Sequence, residues 1–229
     1  MRRRTLTIAS LATLLMGVAA TQALGTVADP VVAIDDTDFS MNGAIDVSGE
    51  GVFDNQDDVT HNVTADAKGP DGKPLFRSGN TPGETMRQIQ GTEYLGIGTY
   101  PFHCSIHPVM RGEFSTEAGR PGDPVPRPEI SLKLKSKKLE KVVKSGKLKV
   151  KVSAGEPTMA ENIKLKGRKG KKAVTKAKKL NLAAGGSKTV KLKLSKRGEQ
   201  KLAGLDSAKV KVAGTVDFGF GDKASKKLK

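Results

Sequence analysis

Apolar and polar residues alternate with period two through much of the second half of the chain. Ile130-Ser131-Leu132-Lys133-Leu134-Lys135 does so, as do Lys147 to Val152, Ile163 to Lys166, Val190 to Leu194 and Ala208 to Val212. Each segment puts apolar side chains on one face of a strand and lysines on the other. Lys144-Ser145-Gly146-Lys147 and Ala184-Gly185-Gly186-Ser187 supply turns between them. Ser195 to Gly204 predicts one short helical turn, and Lys223 to Lys229 reads as a frayed tail. The pattern predicts an antiparallel β-sandwich over residues 129–229.

The first half shows shorter runs of β-branched and aromatic residues between turn signals. Val31 to Ile34, Ala44 to Val47, Gly51 to Phe53, His61 to Ala65, Leu75-Phe76, Thr85 to Ile89, Thr99 to His103 and Gly112 to Thr116 all read as strands. Lys68-Gly69-Pro70-Asp71-Gly72-Lys73 is a strong turn, and no useful helical period occurs. So many short strands in so few residues favour a second β-sandwich, over residues 29–118. The fold class is therefore all-β.

Charge separates the two halves. The whole chain carries +16. Residues 29–128 hold 16 acidic and 7 basic side chains, whereas residues 129–229 hold 8 acidic and 30 basic. Nets of −9 and +22 point to two units with different surface tasks. Four prolines in residues 119–128 favour an extended, semi-rigid linker there. Met1-Arg2-Arg3-Arg4 followed by small and apolar residues to Ala20 has the layout of a signal peptide, residues 1–28, with cleavage after Ala23 or Ala28. That apolar stretch is shorter than the ~20 residues a spanning helix needs. The chain is thus expected to be exported.

The chemistry-bearing residues are few. Cys104 is the only cysteine, so it forms no disulfide within the chain. It sits in His103-Cys104-Ser105-Ile106-His107-Pro108-Val109-Met110, and His61 lies upstream in Thr60-His61-Asn62-Val63. One thiolate, two imidazoles and one thioether form a soft ligand set that selects copper. A structural zinc site wants four strong ligands, and Met110 is a poor fourth. The bland alternative is a buried thiol near stray histidines. His103 neighbours Cys104 on a strand and so faces the other way, as a non-ligand.

These residues resemble the type 1 blue copper proteins, the cupredoxins. The stretch Gly98-Thr99-Tyr100-Pro101-Phe102-His103-Cys104 through Met110-Arg111-Gly112, with His61-Asn62-Val63, carries the likeness, and the short Cys104–His107–Met110 spacing is nearest the amicyanin branch rather than plastocyanin. The likeness covers residues 29–118 and implies a Greek-key sandwich holding one copper ion. It implies His61, Cys104 and His107 as the trigonal ligands and Met110 as the weak axial one. Asn62 would tie the two ligand segments together, and electrons would pass a redox partner docked near His107. No further histidines exist for a second copper centre, and no oxyanion donor accompanies Cys104, so an enzyme is not expected. The function implied is single-electron transfer; the competing reading is extracellular copper capture or storage, or cell-envelope binding without a dedicated redox partner. The basic half, immunoglobulin-like in layout, is expected either to present a solvated face or to meet an anionic cell-envelope polymer or membrane surface. Without stacking aromatics, nucleic acid is not an expected partner.

Overall fold

The computed structural model describes residues 32–35, 38–41, 44–117 and 123–229. The signal-like residues 1–28 and the first part of the proline-rich stretch lie outside the described residues. Among the described residues no helix is long and apolar enough to cross a membrane.

The first half contains β1 (Val32–Asp35), β2 (Asp38–Met41), β3 (Ile45–Asp46), β4 (Gly51–Asn55), β5 (Thr64–Ala65), β6 (Thr85–Ile89), β7 (Gly98–His103) and β8 (Arg111–Glu117). They form two sheets, ordered β2-β1-β4-β6 and β3-β8-β7-β5. From β2 to β7 the chain changes sheet at every step, and only β1–β2 and β7–β8 pair as sequence neighbours. Two pairings are parallel, β1 with β4 and β3 with β8, and the rest are antiparallel. Aromatic rings fill the space between the sheets. Phe76 and Phe114 lie 4.7 Å apart between centroids, and Phe39 meets Phe102 edge-on at 4.8 Å. Such pairs add about 0.5–1.5 kcal/mol each beyond their area burial. Period-two alternation along β7 turns Phe102 and then Cys104 into this core, while His103 faces outward.

The second half is a second two-sheet sandwich, antiparallel throughout. Its elements are β9 (Ile130–Leu134), α1 (Leu139–Ser145), β10 (Lys147–Ala154), β11 (Ala160–Lys169), β12 (Lys172–Ala173), β13 (Lys178–Leu182), β14 (Ser187–Lys193), α2 (Lys196–Leu202), β15 (Ala208–Thr215) and β16 (Asp222–Leu228). One sheet runs β14-β10-β9 and the other β12-β11-β15-β16, with β13 also on β11. Leu148, Val150 and Val152 of β10 are wholly buried against Ile163, Leu165, Val210 and Val212 of the facing sheet. Burying each such side chain stabilises by about 1.5–3 kcal/mol.

Four sequence expectations need correcting, the first being Leu75-Phe76, which forms a bend and not a strand. Residues 223–229 are not a frayed tail: β16 pairs with β15 over seven residues, and Leu228 is wholly buried. Leu139, Val142 and Val143 form a helix, α1, where no element was expected. In the segment His61 to Ala65 only Thr64 and Ala65 belong to a strand; His61 makes an isolated bridge to Thr81.

The two sandwiches touch. Phe218 of the basic half packs under the Arg77 guanidinium at 4.3 Å, and Asp217 forms ion pairs with Lys73 and Arg77. The Asp71 carboxylate accepts from the Phe218 N–H at 3.3 Å. Arg127 donates to the carbonyls of Phe218 and Tyr94, and its guanidinium stacks 5.4 Å from the Tyr94 ring. Gly91 is required here: its φ is +97°, and a Cβ would lie 2.8 Å from the Phe218 ring. Burial, then the neighbouring Glu93 carboxylate, pushes the Tyr94 phenol up to about 12, with Arg127 opposing. A phenol raised in the fold adds stability below its ordinary value of about 10, and that stability is lost as pH rises towards 12. Alkaline absorbance titration of the native chain and of Tyr94→Phe should assign one phenolate transition near pH 12 to Tyr94. A transition near pH 10 would show that the junction does not shield the ring.

Candidate metal centre

Three side chains converge at one end of the first sandwich. Cys104 follows β7 directly, and its Sγ lies 3.8 Å from His61 Nδ1 and 3.8 Å from His107 Nδ1. The two Nδ1 atoms are 3.1 Å apart. A point equidistant from these three atoms lies about 2.1 Å from each. That matches the bond lengths of first-row metals to imidazole nitrogen and thiolate sulfur, about 2.0–2.3 Å. His61 and Cys104 are almost wholly buried, and His107 is half-buried. The donor set and the triangle together fit one copper ion.

The loop after β7 is closed by its own backbone. The Cys104 N–H donates to the Met110 carbonyl at 3.1 Å, and the Met110 N–H donates to the His107 carbonyl at 2.9 Å. Pro108 fixes one φ angle within this turn. Met110 is 6% exposed and packs in the same buried cluster as Cys104.

Asn62 joins the two ligand segments. Its Oδ1 accepts from the Ser105 N–H at 2.9 Å, and its Nδ2 donates to Ser105 Oγ at 3.0 Å and to Asn80 Oδ1 at 2.9 Å. The residues following His61 and Cys104 are thus held against each other. His61 itself is anchored by reciprocal backbone bonds with Thr81, at 3.1 and 2.8 Å.

Asp57 touches the cluster, and the sequence did not disclose it. Its Oδ2 lies 3.0 Å from His61 Nε2. A carboxylate accepts, so Nε2 carries the proton and Nδ1 keeps its lone pair for the site. Burial works to raise the Asp57 carboxyl. The bond from His61 and the backbone N–H groups of Asp58 and Val59 outweigh it and hold the carboxyl below its ordinary range. The turn bearing Asp57 is braced by wholly buried Asn55, whose Nδ2 donates to the carbonyls of Val59 and Thr81 at 2.7 and 3.0 Å. An Asn followed by several polar residues before a histidine was the only available signal, and it also describes an ordinary loop.

His103 stands apart from the cluster. Its Nδ1 lies 2.5 Å from Asp66 Oδ1, and Arg111 donates to the other oxygen of that carboxylate. Around the His107 edge the surface is apolar: Ile106, Pro108 and Val109 are exposed, Val109 at 92%.

No family model matches the chain, and no curated protein matches it. Among solved structures it is similar to the reduced form of a tryptophan-to-tyrosine mutant of amicyanin, with 26% identity over 40% of this chain and 86% of that chain, TM-score 0.33. It is also similar to the reduced Cu(I) form at pH 4 of a proline-to-glycine amicyanin mutant, with 24% identity over 42% of this chain and 88% of that one, TM-score 0.34. At TM-scores this low the fold assignment rests on the strand pairings and the site on its own distances.

Proposed function

We propose that residues 29–118 form a type 1 copper domain of the cupredoxin family, and that the protein is an exported single-electron carrier. The observation that carries this reading is the triangle of His61 Nδ1, Cys104 Sγ and His107 Nδ1, whose equidistant point lies at metal–ligand bond length. His61, Cys104 and His107 would hold the ion, with Met110 as a weak fourth donor. When bound, copper supplies a one-electron couple between Cu(I) and Cu(II). The protein's part is to keep the ligands in place. Asn62 locks the cysteine turn to the histidine segment, Asp57 sets the His61 tautomer, and the closed 104–110 turn limits movement. Ligands that move little lower the rearrangement that accompanies electron transfer. The burial of Cys104 and His61 excludes water, while His107 supplies a half-exposed edge ringed by Ile106, Pro108 and Val109. A redox partner with an apolar contact face would dock at that rim.

Copper titration of the purified full chain tests the reading. One equivalent should produce an intense blue absorption that disappears on reduction and returns on oxidation, with fast self-exchange. A colourless protein that holds copper tightly and cycles slowly would overturn electron transfer in favour of storage.

A further inference from the structure

The lysines of the second sandwich are not distributed as a solvating coat alone. The sheet β14-β10-β9 contains no acidic residue. Across its strands lysines stand directly opposite lysines: Lys151 faces Lys133, Lys149 faces Lys191, and Lys147 faces Lys193. Like charges in register destabilise a sheet. Lysine is a common device for blocking an exposed sheet edge. Here, however, β10 is the central strand, and its three lysines protect no edge; the facing sheet also sets Lys164 against Lys179 and Lys209 against Lys227, but it carries Glu161 and Asp222 on its strands.

This face runs into a cleft of about 590 Å³ beside α1. Lys147 and Lys149 of the sheet and Lys135 just beyond β9 line it, together with Lys137, Lys141 and Lys144 around the helix, and no carboxylate does. A second cleft, about 920 Å³, opens on the other flank of α1 and shares Lys137 and Lys144 with the first. Lys226, Lys227 and Lys229 extend its rim beyond a floor of Leu139, Val143 and Leu202, and Glu140 and Asp206 are the two carboxylates among its lysines. Among the described residues none of these lysines forms an ion pair with a carboxylate. The result is one continuous basic tract that bends around α1.

We infer that this tract binds a linear, phosphate-bearing polyanion, seated along the outer face of β10 and wrapped past α1. Three features choose that partner. The cationic groups are lysines, point charges that suit phosphate without demanding the planar fork geometry of a carboxylate clamp. The surface is concave, and its one exposed large apolar residue, Leu205, lies in the cleft wall. A bilayer would instead be met by protruding apolar groups. Phe218 and Phe220, the only aromatics of this half, line neither cleft, so stacked bases have no platform. The acidic first half would be repelled by the same polymer, which orients the bound protein with its metal end away. The tract stands independently of the copper site.

The test is calorimetric titration of the full chain with long-chain inorganic polyphosphate at several salt concentrations. Lys137→Ala/Lys141→Ala/Lys144→Ala should weaken binding about tenfold or more and make the log K against log salt slope shallower by about two. The control Lys164→Ala/Lys178→Ala/Lys179→Ala removes the same charge from β11 and β13 and should change affinity by less than about twofold. Circular dichroism should be unaltered in both. No binding by the native chain, or equal losses in the two variants, would overturn the site. Tighter binding to vesicles of phosphatidylglycerol and phosphatidylcholine, weakened by the first variant, would reassign the tract to a membrane and overturn the polymer.

Discussion

Cys104→Ser is expected to abolish the blue absorption completely and to leave a chain that no longer cycles copper. The sulfur is the one soft, anionic donor in the cluster, and the colour of such a site comes from charge transfer between thiolate and Cu(II). Serine is close in size, and Cys104 is wholly buried beside Met110 and Phe102, so the sandwich should stay folded. A hydroxyl is protonated at neutral pH and offers a hard, neutral oxygen in place of a soft anion. Visible absorbance after copper addition, with circular dichroism as a check on folding, measures both halves of this expectation. Retention of the intense band would place the metal elsewhere.

Asp57→Leu should lower copper affinity about 10–100-fold, the usual consequence of removing a carboxylate that orients a ligating histidine. Without an acceptor at Nε2, the His61 ring has no group fixing its tautomer, and a proton on Nδ1 would compete with the metal. The loss of a nearby negative charge also favours the lower oxidation state, so the reduction potential should rise. Asp57→Asn retains an acceptor oxygen and should lose much less affinity. Competition with a chelator of known strength would read the affinities. Equal affinity for the native chain and Asp57→Leu would mean that Asn55 and Thr81 position His61 unaided.

The metal cluster was legible because its hardest part is local. Two of the three clustered donors, Cys104 and His107, stand three residues apart, and only His61 had to be brought from elsewhere. Asp57 was hidden because its role depends on how the turn between Asn55 and His61 is folded, and that turn is set by contacts with Thr81 and Glu84 far along the chain. The lysine-apolar alternation of β9, β10, β14 and β15 announced their strands plainly. β16 gave a weaker signal, since Ala224 and Leu228 are its only apolar residues, and its pairing comes from β15. Leu139-Glu140-Lys141-Val142-Val143 is too short to show a helical period, and α1 exists because Leu139 and Val142 cap the end of the core. The expectation that His61 begins a strand failed because a single alternating run does not reveal that Thr81, Ser78 and Phe76 supply its backbone partners one at a time.

Strand β16 also sets an order of events during synthesis. All strands of the first sandwich have left the ribosome once Glu117 has emerged, so that half has what it needs to close early. The other half lacks the second partner of β15 until Leu228 is made, and the Leu139 N–H waits for the Lys229 carbonyl. A nascent chain stalled between Thr215 and Leu228 would display the bare, lysine-bearing margin of β15.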